Sequence, residues 1–496
     1  MSKPMPSQQR CRERRVDVAG SRYGTHPGVR ITVALLMLSL AGCAVGPDYV
    51  PPQIPTSSAW HAQLTGGTAA GQLDLQTLAA WWTTLNDPTL TGLIERAARG
   101  NLDLKKARAA VREARARRGK SQAGLFPTVD AKGAATFSRS SQDAGRGNTQ
   151  DLYTTGFDAS WELDLFGGVR RSIEAAEADL QASSEELRNT LVSLLAELAL
   201  NYVEVRTYQA RLSVAEANLA AQAETCELTT GRVEAGLATQ LDAEQARYNL
   251  ESTRSQIPSL RSGLEEAKNG LAVLLGEPPG AVQAELEERQ PIPVASLEVA
   301  VGVPAEVLRR RPDVRQAERK LAAETARVGV AMAELYPKFS LLGSIGLEAL
   351  SLSKVVSAAS RTYSLGPSVT WRLFDAGAVR KSIEAQSAVQ EQALIQYEAT
   401  VLTALQEVEK ALVAYVEEQN RRQSLREATE AARRAVSLAQ AQYGAGMIDF
   451  RSVLDAQRSL LSFQDELAKS EGEVTSNLVR LYKALGGGWT SPAPES

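Results

Sequence analysis

The chain of 496 residues predicts a mostly α-helical fold with a membrane-crossing β part, built as two tandem repeats. Three observations carry this. Residues 161–175 read WELDLFGGVRRSIEA and residues 371–385 read WRLFDAGAVRKSIEA, 210 positions apart with no gap. Self-similarity at a fixed offset means duplicated architecture. In each copy an alternating apolar/polar run ends at a glycine (Gly167, Gly377) and a long run without Gly or Pro begins. The apolar period changes there from two to about 3.5, so a strand hands over to a helix. Last, the runs 169–230 and 379–443 are uninterrupted, and at 1.5 Å per residue each helix would extend about 90 Å.

Taken in order, the chain starts with Arg10, Arg12, Arg14, Arg15, Arg22 and Arg30 ahead of a short apolar run, 31–40, and then Leu40-Ala41-Gly42-Cys43. That is an export signal over residues 1–42, too short to span a membrane as a helix. Its ending resembles the lipobox of bacterial lipoproteins, which implies that Cys43 becomes the mature N-terminus and carries the covalent N-acyl and S-diacylglycerol lipid. Ala44, rather than Asp, follows it, which by the same resemblance favours the outer membrane. Residues 43–76 begin Pro-rich and read as an extended tether.

The first repeat, 77–276, opens with Trp81, Trp82, Leu85, Asp87, Pro88, Leu90, Leu93 and Ile94 and a helical pattern that continues to about Gly124. Strands follow at about 126–140 and 151–166. Val129, Ala131, Gly133, Ala135 and Phe137 share one face, and Tyr153, Phe157, Ala159, Trp161 and Leu163 share another; Asp130, Lys132, Asp158 and Glu162 fall opposite. A long helix, 168–230, and a return helix, 237–275, complete the repeat. Leu191, Leu198, Val205, Leu212 and Leu219 recur every seven residues, interleaved with Leu187, Leu194, Asn201 and Tyr208. That is a coiled-coil-like seam. Pro258 is expected to kink the return helix.

Residues 277–304 carry five prolines and read as a linker or equatorial segment. The second repeat, 305–486, gives strands at about 336–349 and 361–375, a long helix 378–443 and a return helix 449–485, with 487–496 as a tail. The strands are long enough to cross an outer membrane at a tilt, and the ionisable groups within them all fall on one face, the one that would line a wet lumen. Four strands cannot close a barrel, and an open edge in lipid is prohibitive. The barrel must therefore be shared between copies of the chain.

Composition excludes other classes. Removing the first 42 residues, with seven basic and two acidic side chains, takes the net charge from −3 to −8, which offers nothing to nucleic acid. His61 is the only histidine beyond the signal, and no Cys/His cluster has metal spacing. No active site is legible, so the expectation is a protein that is not an enzyme and holds no metal or cofactor. Cys226, in a helical run, reads as an inert small hydrophobe rather than a redox thiol.

Several stretches together carry a family resemblance. Residues 304–308 (PAEVL) lead into RRRPDVRQAE at 309–318, followed by Arg327-Val328-Gly329 and Leu335-Tyr336-Pro337. Residues 43–49 read CAVGPDY, and Trp81-Trp82, Asp87-Pro88 and Asn101-Leu102-Asp103-Leu104 match as well. From Cys43 to about Gly488 the chain resembles the outer-membrane factors of tripartite efflux systems, the TolC-like channels, in the lipoprotein branch that serves resistance–nodulation–division pumps. The resemblance implies a homotrimer whose twelve strands close one barrel over a periplasmic α-helical tube. It implies a periplasmic adaptor and an inner-membrane pump as partners, and a passive exit for small molecules. Protein export is the alternative; a periplasmic adaptor or a structural coiled-coil lipoprotein fits the two hairpins and four strands less well.

The resemblance also points to a periplasmic gate at Asp242, Tyr443 and Asp455. Ser452 stands where many relatives have a second aspartate, and Ile448 where some have arginine. The competing reading is that Asp242 and Asp455 only start the return helices as cap-proximal acids.

Overall fold

The structure, a computed structural model, describes residues 44–489 apart from 54–56, 65–67, 70–73, 146 and 295–298. Cys43, the expected lipid site, lies outside the described residues. Six strands are present among them: β1 Thr68–Ala69, β2 Thr128–Arg139, β3 Thr149–Leu163, β4 Val299–Ala300, β5 Lys338–Ala349 and β6 Arg361–Thr370. The helices are α1 Leu75–Ala79, α2 Pro88–Gly100, α3 Leu102–Ala123, α4 Gln142–Gly145, α5 Gly168–Glu234, α6 Gln240–Leu275, α7 Pro304–Arg310, α8 Pro312–Ala333, α9 Ala378–Gly444 and α10 Phe450–Ala484.

The repeat is exact in its long elements: α5 and α9 each have 67 residues. Each of these helices packs against its return helix, and α5 also packs against α3, α8 and α10. The expected seam is buried at its centre, with Leu194, Leu198, Val205 and Leu212 all at 4% exposure or less. The main core gathers where the return helices end. Leu90, Leu93 and Ile94 of α2, Leu198 and Tyr202 of α5, Leu271 and Leu275 of α6, Leu412 of α9 and Leu478 of α10 meet there. Trp81 stacks on Tyr482 in the same core, with ring centroids 5.5 Å apart.

The structure corrects several boundaries. The helix expected to stop at residue 230 runs through Gly231 to Glu234. One glycine costs about 1 kcal/mol in a helix, too little to end one held by packing. The turn comes at Gly236, which has positive φ. The helical segment from Trp81 is a 3-10 turn (Trp81–Leu85), then α2 and α3, because Asn101 leaves the helix and caps α3 by accepting from the Leu104 N–H at 2.9 Å. β6 ends at Thr370, where its ladder to Lys338 ends, not near residue 375. α6 continues through Pro258. Residues 277–304 are more than a linker, since Val282, Leu286 and Val301 are fully buried in the main core.

The tether is extended but docked. The Val45 N–H donates to Phe166 O, and Arg171 donates to Val45 O, Gly46 O and Asp48. Gly46 lies so close to Gly329 that a Cβ there would sit 2.4 Å from the Gly329 Cα. Further on, the His61 and Ala62 N–H groups donate to Glu409.

Candidate functional site

Two regions carry the function-bearing geometry: the four-stranded sheet and the hairpin tips at the opposite end of the long helices. The sheet is antiparallel in the order β2-β3-β5-β6. Thr128 pairs with Ser160, Trp161 with Leu341 and Phe339 with Val369, so every ladder joins residues of equal parity. All odd-numbered strand residues therefore share one face. Val129, Phe137, Phe157, Ile345, Tyr363, Leu365 and Val369 lie on it and are exposed. The even face carries Asp130, Lys132, Ser160, Glu162, Ser340, Ser344, Glu348, Ser364 and Ser368. Lys132 is paired there with Asp158, and Ser344 is bonded to Ser364 across the ladder at 2.8 Å.

The one-face rule for ionisable groups needs a correction, because Arg139, Asp151 and Arg361 are on the odd, apolar face. All three sit at the hairpin-loop ends of their strands, the positions nearest bulk water. β2 and β6 are the two outer strands of the sheet, and β6 tolerates Pro367, as an outer strand can.

Tryptophan closes the other end of the sheet in both repeats. The Trp161 indole N–H donates to Leu125 O at 2.9 Å, and that of Trp371 to Leu335 O at 3.1 Å. Aspartate then starts both long helices. Asp164 accepts from the Val169 N–H and Asp375 from the Val379 N–H. The carboxylate has moved by one residue between the copies while the helix N–H it serves has not. Sequence reasoning missed these acids; an acid just before each helix-opening glycine was the available signal.

At the tips, the sequence-derived gate residues divide. Asp242 is the third residue of α6 and closes a capping box: its carboxylate accepts from the Thr239 N–H (3.0 Å) and hydroxyl (2.7 Å). The Thr239 side chain accepts in turn from the Asp242 N–H. The second tip inverts this arrangement. Asp449 is the N-cap of α10 and accepts from the Ser452 N–H (3.0 Å) and hydroxyl (2.6 Å). The Ser452 hydroxyl and N–H hold the Asp449 carboxyl below the usual carboxylate range. Ser452 is the repeat partner of Asp242, so the departure from the family pattern is the other half of the same cap.

Asp455 is not a cap. It lies one turn further into α10, 58% exposed, between Arg451 (3.8 Å) and Arg458 (3.5 Å). Arg458 reaches across to α6, where it donates to Asn249 Oδ1 at 2.9 Å and to the Tyr248 hydroxyl. Tyr443 packs its ring on Phe450 (5.2 Å) and under the Arg232 guanidinium (4.7 Å). Arg232 belongs to the first hairpin, so this contact ties the two tips of one chain together. Arg232, Arg458 and Asp449 were not singled out from the sequence. Asp449 was legible as Asp-x-x-Ser beside Thr-x-x-Asp; the two arginines carry no local signal.

Among the described residues no group of His, Cys, Asp and Glu has the geometry of a metal site, and no helix is long and apolar enough to cross a membrane. The model of the family described as outer membrane efflux protein matches residues 93–277 and 303–487, again 210 apart. Nodulation protein T of Rhizobium leguminosarum bv. trifolii is 32% identical over 94% of this chain and 98% of its own length. The solvent efflux pump outer membrane protein SrpC of Pseudomonas putida is 31% identical over 92% and 97%. Among solved structures, the outer-membrane channel OprN aligns with a TM-score of 0.85 at 37% identity, covering 90% of this chain and all of that one. The open state of the Neisseria gonorrhoeae MtrE outer membrane channel aligns with a TM-score of 0.78 at 28% identity, covering 90% and 99%.

Proposed function

The chain belongs to the outer membrane efflux protein family, and from that premise we infer that it is the outer-membrane channel of a tripartite efflux system. Three copies close one barrel of twelve strands, and the long helices continue it as a periplasmic tube. A periplasmic adaptor and an inner-membrane pump deliver small molecules to the tube, and the channel itself is a passive exit. The observation that carries this reading is the sheet: an apolar face largely exposed in one chain, a hydrogen-bonding face opposite, and two uncovered outer strands. Water cannot satisfy that arrangement without aggregation; lipid outside, a wet lumen inside and neighbouring copies at both edges satisfy it.

Planar-bilayer recording combined with an arginine scan tests it. Arg at Val369, on the lipid face, is expected to cost about 2–4 kcal/mol at mid-membrane depth and to deplete inserted channels, whereas Arg at Ser368 is tolerated. Equal loss from both substitutions, or no conductance from the unmodified protein, overturns the reading.

Two finer assignments belong to the same proposal. Cys43 carries the acyl lipid, supported by the Leu-Ala-Gly-Cys sequence and by docking of Ala44 and Val45 against Gly167 and Phe166 at the foot of the sheet. Palmitate labelling that survives Cys43→Ala refutes this. Asp242, Tyr443 and Asp455 line the closed mouth, Asp455 as the exposed charge and Tyr443 as the packing piece between tips. Asp242, occupied by Thr239, contributes mainly by holding the start of α6.

A further inference from the structure

α8 is covered on both sides, by α5 and by α9, whereas the substantial helix packing of α3 is on α5 alone. The 210-residue offset makes α3 the counterpart of α8 and α9 the counterpart of α5. The filled α5–α8 groove inside one chain is therefore a template for a groove between α9 of one copy and α3 of the next.

The charges in the filled groove are specific. Glu185, 5% exposed, accepts from Arg188 (2.5 Å) and Arg315 (2.8 Å). Gln181 accepts from Arg319 at 3.4 Å, and Glu318 lines the same groove. Moving each residue by 210 turns Glu185 into Ile395, Arg188 into Glu398, Arg315 into Lys105, Gln181 into Glu391, Arg319 into Ala109 and its neighbour Glu318 into Arg108, so the basic partner of position 391 moves by one residue. The central carboxylate has become a hydrocarbon, and the residues around it have become two pairs of opposite charge.

The exposed surfaces agree with that exchange. α3 carries eight basic and two acidic residues, against four and three on α8. α9 presents Glu384, Glu391 and Glu398 at seven-residue spacing, beside Ile395 and Leu402, which are 57% and 64% exposed. Among the described residues, Glu391, Glu398 and Lys105 form no ion pair. An apolar seam flanked by like charges on one helix, and an arginine- and lysine-rich partner running antiparallel, is the pattern of a charge-selected helix pair.

We propose that the α9 face bearing Glu391, Ile395 and Glu398 seats α3 of a second copy of this chain, with Glu398 paired to Lys105 and Glu391 to Arg108. This rests on the trimeric reading, since only a head-to-tail contact repeated around a closed ring uses both surfaces on every copy. It adds which residues set the register.

The test uses the full-length protein in mild detergent, heated in steps and resolved by native electrophoresis. Glu391→Lys with Glu398→Lys, and separately Lys105→Glu with Arg108→Glu, are expected to lower the temperature at which trimer disappears. The four-fold exchange restores it, and added salt lowers it in the unmodified protein but not in the two pair variants. Unchanged temperatures in both pair variants, or no recovery in the four-fold exchange, overturn the proposal. Where the pair variants fail to insert, Glu398→Cys with Lys105→Cys, oxidised with copper phenanthroline in a Cys226→Ser background, is expected to give covalent trimer. Absence of that product also overturns it. An unmodified protein that never runs as trimer would instead defeat the trimeric reading itself.

Discussion

Asn101 and Arg311 occupy the same joint in the two repeats, 210 residues apart, and hold it with different chemistry. Each is 6% exposed and stands between two helices, α2 and α3 in one case, α7 and α8 in the other. The Asn101 amide donates to Leu274 O at 2.9 Å, and the Arg311 guanidinium to Ala484 O at 3.0 Å, so the same carbonyl is served in both copies. Beyond that they part. Asn101 spends its oxygen on the α3 N-terminus, whereas Arg311 bonds both oxygens of Asp313 and reaches Glu407 at 2.5 Å. Burial alone works against the Arg311 charge, but the two carboxylates outweigh it and raise its pKa. Duplication preserved the backbone requirement and left the side chain free to recruit whatever partners each joint offers.

Giving both joints the same residue should separate them most. Arg311→Asn keeps a donor for Ala484 O but strands Glu407 and Asp313. Because Asp313 and Glu407 keep 27% and 51% exposure, losing their charge-assisted hydrogen bonds to Arg311 is expected to cost about 2 kcal/mol, read as earlier thermal loss of trimer. Asn101→Ala removes a cap and a hydrogen bond and is expected to cost about 1 kcal/mol. Equal effects would mean that the carboxylates around Arg311 contribute nothing.

A smaller effect separates the repeats by pH. Burial pushes the Asp465 carboxyl up, but Arg211 and Lys469 outweigh it and hold its pKa below the ordinary 3.8. A depressed folded-state pKa contributes stability that is complete above the unfolded value and is lost as pH falls through the folded one. The tie from Arg211 on α5 to Asp465 on α10 (2.7 Å) is therefore present at pH 5 and released in acid below the ordinary 3.8. Its repeat image on α6 is Ser255, which does not titrate. Asp465→Asn should remove about 1 kcal/mol at pH 5 and flatten the acid branch of hydrogen exchange in α10, leaving α6 unchanged. Equal acid sensitivity of the two return helices would count against the assignment.

The smallest expected effect is at the tips. Tyr443 meets Arg232 through its ring, so Tyr443→Phe should leave resting conductance near that of the unmodified channel. Tyr443→Leu removes a cation–π contact of about 0.5–1 kcal/mol and should raise it. Asp455→Ala should lower cation selectivity, since a ring of like charge in a narrow mouth favours cations. Recordings in which Phe and Leu behave alike would show that the Arg232 contact does not restrain the mouth.

The duplication, the order of the long strands and helices, the face each strand residue takes and the seam of the long helices are all legible along the chain. These depend on period and offset, which are local or self-referential. Even the inverted caps, Thr239/Asp242 and Asp449/Ser452, were legible once the offset was applied. Folding in three dimensions settles how the tether is used, where Arg232 and Arg458 reach, and that Asp455 is exposed rather than a cap. It also decides that Val282 and Leu286, in a segment readable as a linker or equatorial segment, belong to the core. These outcomes depend on which distant segments meet, and no pattern along the chain records that. Long flexible side chains such as Arg171, Arg311 and Arg458 choose partners more than a hundred, ninety or two hundred positions away, because the folded backbone places an unpaired acceptor within their reach.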